Sequence, residues 1–203
     1  MKGVEPDEGF ITIHFDTDEA GLLAGMVDQL AELLTDEDLI ATSATGAHEQ
    51  VSGDPFARWE AEFVQDAEPT VENLEQAGEL DEMDPVIKRL FPDAYPDDPA
   101  ASHDFRRFTH AQQRSQKVAD ANLVIHDLQR TDRRGRCRVP ADHVTPWLKT
   151  LTNVRLALAA RLDITDEVSA DEAVQLPESD PRSWMYEVYA WTGWLQECVI
   201  EAL

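Results

Sequence analysis

The chain has 203 residues, a formal net charge of −24 and 42% hydrophobic residues. That apolar share is near the ~45–50% typical of globular domains, enough to build a core, and no apolar run approaches the ~20 residues that cross a bilayer, so no membrane partner is expected. The two cysteines, Cys137 and Cys198, fit neither a secreted disulfide framework nor zinc-ligand spacing, and "MKGVEPDEGF" lacks the apolar segment of a signal peptide; a cytoplasmic protein is expected.

The charge is uneven. Residues 1–99 carry 4 Lys/Arg and 26 Asp/Glu, a net −22, whereas residues 100–203 carry 13 and 15, a net −2. The first half repels nucleic acid, whose non-specific binding is driven by counterion release to Lys and Arg. It is suited to a solvated surface or to a basic partner.

"GFITIHF" (9–15) alternates, with Ile11, Ile13 and Phe15 on one side, and predicts a strand. Asp16 followed by Glu19 has the form of a capping box, and Leu22, Leu23, Met26, Val27, Leu30, Leu33 and Leu34 keep helical spacing, predicting a helix over 16–35. From 36 to 83 the periodicity fades. Phe56, Trp59 and Phe63 suggest a short helix, and the rest reads as an acidic, partly irregular insertion.

"DPVIKRLFPDAYPDDPAA" (84–101) predicts a short helix and a turn broken by Pro92, Pro96 and Pro99. A long helix follows over 102–130, with Phe105, Phe108, Ala111, Val118, Ala121, Ile125 and Leu128 inward. "RCRV" predicts a second strand with Cys137 and Val139 on one face and Arg136 and Arg138 on the other. Paired with "ITIHF" it makes a two-stranded sheet that needs helices to support it.

The next helix, 142–162, places Val144, Leu148, Leu151, Leu158 and Leu162 inward and tolerates Pro146 only in its first turn. Arg155 on that face reads as a structural, ion-paired or snorkelling residue, and Arg161 as surface. An acidic connector, 163–180, leads to a terminal helix, 182–202, whose stripe is Trp184, Val188, Trp191, Leu195, Cys198 and Ala202. The expected architecture is mainly α: one helical, bundle-like domain over 1–203 with a minor two-stranded β element and the 36–83 insertion outside it.

"RTDRRGRCRVP" (130–140) sets five arginines around Cys137. They fit a solvated turn, pairing with the acidic half, or contact with nucleic acid or an acidic protein. Arg133, Arg134, Arg136 and Arg138, with Arg106 and Arg107 of "FRR", are the candidate contacts. Positive neighbours favour a reactive thiolate at Cys137, while its inward direction favours a buried, inert thiol. Cys198 on an apolar stripe reads as a small buried hydrophobe or as a redox partner. If strand and terminal helix meet, the two could form a reversible disulfide.

No Gly-rich phosphate loop, nucleophile elbow, HExxH or metal-spaced histidines occur. No enzyme, metal or cofactor is expected. A deep pocket with clustered polar groups would revive the enzyme reading.

"DPVIKRLFPDAYPDD", "FRRFT", "WLKTLTNVRLALAARLDI" and "YEVYAWTGWLQECVIEAL" resemble a family of actinobacterial proteins. It was long listed as a domain of unknown function and later described as an oxidative-stress response regulator. The resemblance covers roughly 84–203 and, more loosely, "GLLAGMVDQLAELL". It implies a redox-responsive regulator of oxidative-stress and sulfur-metabolism genes, working by cysteine oxidation and partnership with the transcription machinery. The alternative is a non-redox interaction module that binds a basic partner through its acidic N-terminal half.

Overall fold

A computed structural model of the chain describes residues 3–16, 18–35, 84–95 and 99–203, with the side chains of 99–104 and 106–108 excepted. The 36–83 insertion, including the helix expected around Phe56, Trp59 and Phe63, lies outside the described residues.

The described chain is mostly helical, and its sheet has three antiparallel strands rather than the expected two: β1 (Gly3–Asp7), β2 (Phe10–His14) and β3 (Arg136–Pro140), in that order. Ile11 faces Val139 and Ile13 faces Cys137 across β2 and β3, as the alternation predicts. The missed strand is β1, "GVEPD". Pro6 argues against a central strand, but β1 lies at the sheet's edge, where a missing N–H is tolerated. A two-residue link joins it to β2, and Gly9 takes the positive φ of 76° that this link requires.

Helix α1 (Glu19–Thr35) buries Leu23, Met26, Val27, Leu30, Leu33 and Leu34. One arm of the expected capping box is present, since the Asp16 N–H donates to Glu19 Oε2 at 2.6 Å. Helix α2 (Pro85–Leu90) starts on Asp84, whose Oδ1 accepts the Val86 N–H at 2.7 Å, with Pro85 at the first helical position. Helix α3 (Pro99–Gln129) begins at the last proline of the turn. Of its expected stripe, Ala121 and Leu128 are buried, Val118 and Ile125 half-buried, and Phe105 and Ala111 exposed; the Phe108 side chain lies outside the described residues.

A short 3-10 turn (Ala141–His143) leads into α4 (Val144–Arg161), with Pro146 in the first turn. α4 touches α1, α2, α3 and the terminal helix, so it is buried on several sides: Trp147, Leu151, Val154, Ala157 and Leu158 are all in the core. Trp147, rather than Leu148, takes the inward position at its start.

Two expectations about the last third are corrected. The connector holds a helix, α5 (Glu167–Val174), opened by a reciprocal cap: Asp166 Oδ1 accepts the Ser169 N–H at 2.9 Å and Ser169 Oγ accepts the Asp166 N–H at 3.0 Å. In α6 (Pro181–Glu201) the buried stripe is Met185, Val188, Thr192, Leu195 and Val199, which leaves Trp184, Trp191, Cys198 and Ala202 only half-buried. Small residues explain the rotation. Gly193 lies beneath the Arg155 guanidinium, so α6 turns that side to α4.

Candidate functional site

The arginine turn is organised by Asp132. Its Oδ1 accepts the backbone N–H of Arg134 at 2.8 Å and of Arg136 at 3.1 Å, and its Oδ2 accepts Arg136 Nε at 2.8 Å and Nη2 at 2.7 Å. These donors, the Arg136 backbone and side chain first, hold the carboxyl down from 3.8 to about 2. Gly135 closes the turn at φ +78°, and its carbonyl accepts the Phe15 N–H at 2.8 Å. No other residue fits here, because a Cβ at 135 would collide with the Phe15 carbonyl oxygen.

β3 then alternates as expected: Arg136 and Arg138 are exposed, while Cys137 and Val139 are fully buried. Arg138 reaches Asp7 of β1 at 3.1 Å and lies 4.2 Å over the Phe10 ring. Both arginines therefore take local acids, one of them from the acidic half of the chain.

The outer face of the sheet and the end of α3 enclose a basin of about 820 Å³, lined by Arg136, Arg138, Arg130, His126, His143 and Asp127 among others. Asp127, only 4% exposed, ties three elements together. Its Oδ2 accepts the Trp147 indole N–H at 3.0 Å and faces His143 Nδ1 at 2.9 Å. As a carboxylate it can only accept, so Nδ1 carries the hydrogen and Nε2 is the remaining ring nitrogen. The Asp127 backbone oxygen accepts the Cys137 S–H at 3.4 Å. Residue-type reasoning passed over this hub; its signal was an aspartate on the apolar stripe of α3, beside Val124 and Leu128.

The two thiols are free and unlike. Burial pushes Cys137 up from 9.0 to about 12, so a neutral thiol prevails despite its arginine neighbours, which point away from it. Cys198 is half-buried on α6, and its thiol is also pushed up, by desolvation and by the Glu201 and Glu197 carboxylates.

The remaining candidates are dispersed. Arg133 and Arg134 are exposed and line a separate hollow beside Asp16 and Asp18. Arg106 and Arg107 stand on the N-terminal part of α3, about 35 Å along the helix from Arg130 at ~1.5 Å per residue, and their side chains lie outside the described residues. Arg155 has the structural role expected of it, donating to Gln196 Oε1 at 2.9 Å and lying 5.3 Å from the Tyr189 ring centre. Arg161 is not on the surface: it is half-buried and bonds Asp84 Oδ2 at 2.9 Å.

A third hollow, about 690 Å³ between α3 and α4, contains Lys117, whose Nζ donates to Asn153 Oδ1 at 2.7 Å and whose amine is pushed down mainly by burial. Among the described residues no group of three His, Cys, Asp or Glu is placed to hold a metal ion, and no helix is long and apolar enough to cross a membrane.

Helices around a three-stranded edge, with no metal cluster among the described residues, define a scaffold with a polar basin. The chain belongs to the DUF2017 family, described as a domain of unknown function, whose model matches residues 1–203. No curated protein and no solved structure matches it.

Proposed function

We propose that this chain is a non-enzymatic, cytoplasmic regulator of the oxidative-stress response that works with the transcription machinery through a surface built on β3. The reading starts from the resemblance of its C-terminal segments to oxidative-stress regulators. The observation that carries it is the position of Cys137, between Arg136 and Arg138 on β3 and hydrogen-bonded to Asp127, which lines the basin. A covalent change at Sγ must disturb the packing beneath that surface.

The chemistry runs through the more accessible thiol first. Hydrogen peroxide oxidises Cys198 to a sulfenic acid and leaves one water. The terminal helix meets the sheet at β1, the edge opposite β3, so each thiol is oxidised on its own: a second peroxide takes Cys137, exposed by local opening of the α3–β3 seam, to a sulfenic acid and leaves a second water. Burial pushes the Cys137 thiol up to about 12, so it stays neutral in the closed fold and its reaction waits on opening.

The same burial favours a second reading, a non-redox interaction module whose acidic N-terminal half takes a basic partner. In the described part of that half, Glu5, Asp7, Glu8 and Asp18 are exposed.

Transcript profiling of a deletion strain of the source organism, with and without sublethal peroxide, tests the regulator. The expected result is a peroxide response that is lost on deletion and restored by the native gene. A response unaffected by deletion rejects the role. Complementation by a Cys137→Ser, Cys198→Ser variant that restores the full response rejects the thiol mechanism and leaves the interaction module.

A further inference from the structure

We infer that the basin on the outer face of the sheet is a binding site for a phosphorylated small molecule, held by Arg130, Arg138 and Arg136 with His143 Nε2 as a further contact. The inference rests on reading β3 as the working surface, but not on any redox role for it.

Four observations converge. The basin's volume, about 820 Å³, is within the ~300–1,000 Å³ usual for small-molecule sites. Three arginines line it, Arg136 and Arg138 on β3 and Arg130 just beyond α3, and Arg is the side chain whose planar fork matches phosphate oxygens.

Those forks are only partly used. Arg138 gives one nitrogen to Asp7. Arg136 gives Nε and Nη2 to Asp132 and keeps Nη1. Arg130 is exposed and makes no ion pair among the described residues. Finally, His143 is oriented by a buried carboxylate that is itself fixed by Trp147. Such a relay positions a ring nitrogen rigidly, where a surface histidine would be free to turn.

Of the acids lining the basin, Asp132 keeps two nitrogens of Arg136, whereas Asp7 is a weak rival for Arg138. The Asp7–Arg138 pair is exposed, 58% and 49% for the two side chains, and exposed pairs contribute roughly 0–1 kcal/mol. A phosphate dianion offers more charge and more acceptor oxygens than Asp7, so it can displace that carboxylate. The −24 of the whole chain repels anions at long range, but at 0.15 M salt charges more than about 8 Å away are largely screened.

The ligand also bears on Cys137. Contacts to Arg138 of β3 and His143 after it, and to Arg130 just beyond α3, hold the α3–β3 seam closed from outside, while the Cys137–Asp127 hydrogen bond closes it from within. Occupancy should slow the opening that exposes the thiol.

The test is calorimetric titration of the full chain with inorganic pyrophosphate, ADP and a short DNA duplex at 0.15 M salt. The native protein is expected to bind pyrophosphate or ADP. Arg130→Gln and Arg138→Gln should each weaken this about tenfold, the worth of one charge-assisted hydrogen bond. Saturating ligand should slow the reaction of Cys137 with a thiol reagent at least threefold. Both arginines are exposed, so the variants keep the native fold, and Arg138→Gln loses only the exposed Asp7 pair and the Phe10 contact.

Three results would overturn the site: no heat with either small phosphate at 10 mM, binding that both variants leave unchanged, or binding of the duplex alone. Failure here leaves the peroxide response of the deletion strain untouched, so the two proposals fall separately.

Discussion

Asp132 shows how a surface residue can still govern local geometry. Four donors converge on its two oxygens, and the carboxyl falls to about 2. A depressed acid supports the fold above its ordinary value of 3.8, and that support fades as pH falls toward about 2. Removing Arg136 takes away the side-chain donors and leaves the backbone ones. In Arg136→Ala the Asp132 carboxyl carbon, followed by NMR, should therefore titrate at higher pH than in the native chain yet below 3.8; an unchanged midpoint would contradict the assignment. Cys137 shifts the other way. Its contribution is intact below pH 9.0 and is lost as pH rises toward about 12. At pH 8 a thiol reagent should modify Cys198 quickly in the folded protein and Cys137 only slowly, at the rate the α3–β3 seam opens, with denaturant removing the difference. In Cys198→Ser no fast-reacting thiol should remain. A rapidly labelled Cys137 would show that the α3–β3 seam opens far more readily than its burial implies.

At the scale of elements, Gly135 is the least replaceable position in the β2–β3 region. Gly135→Ala should lower stability by more than the ~1–2 kcal/mol of a left-handed non-glycine residue, because the Phe15 carbonyl must also move. Urea unfolding would show this as a fall in midpoint at constant slope; a variant of native stability would disprove the close approach. Elements with a strong period were readable in the sequence: the leucines of α1, the alternation of "ITIHF" against "RCRV", and Pro146 at the head of α4. Those whose signal was carried by single residues were not. β1 hid behind Pro6, and α5 buries only Ala173, too little for a periodic pattern. The stripe of α6 was misplaced because tryptophans at 184 and 191 offer far more apolar surface than Thr192 and Gly193, yet the small residues are what permit close packing against α4. At the candidate site the split of arginines from Cys137 was legible from period two. The Asp127–His143–Trp147 hub was not, since it joins residues of α3, the 3-10 turn and α4 that only tertiary structure brings together.

Across the whole molecule, long-range polar ties fasten peripheral pieces to α4. Arg161 bonds Asp84, which also caps α2, and Arg89 Nη2 reaches the Ile164 carbonyl at 3.2 Å. Arg161→Ala leaves a half-buried carboxylate without this partner and should destabilise the fold by roughly 1–3 kcal/mol. Hydrogen exchange should show the excess opening concentrated in α2, and a loss spread evenly over all helices would mean that the tie is not local. The sheet is assembled across an even greater span of chain: β2 ends at His14 and its partner β3 begins at Arg136. On a ribosome adding about 5–20 residues per second, that span corresponds to an interval of about 6–25 s. Throughout it the edge of β2 that will pair with β3 has no β3 to pair with. An unpaired edge is a template for wrong pairing, so the late position of β3 lengthens the newborn chain's exposure to mispairing as translation slows.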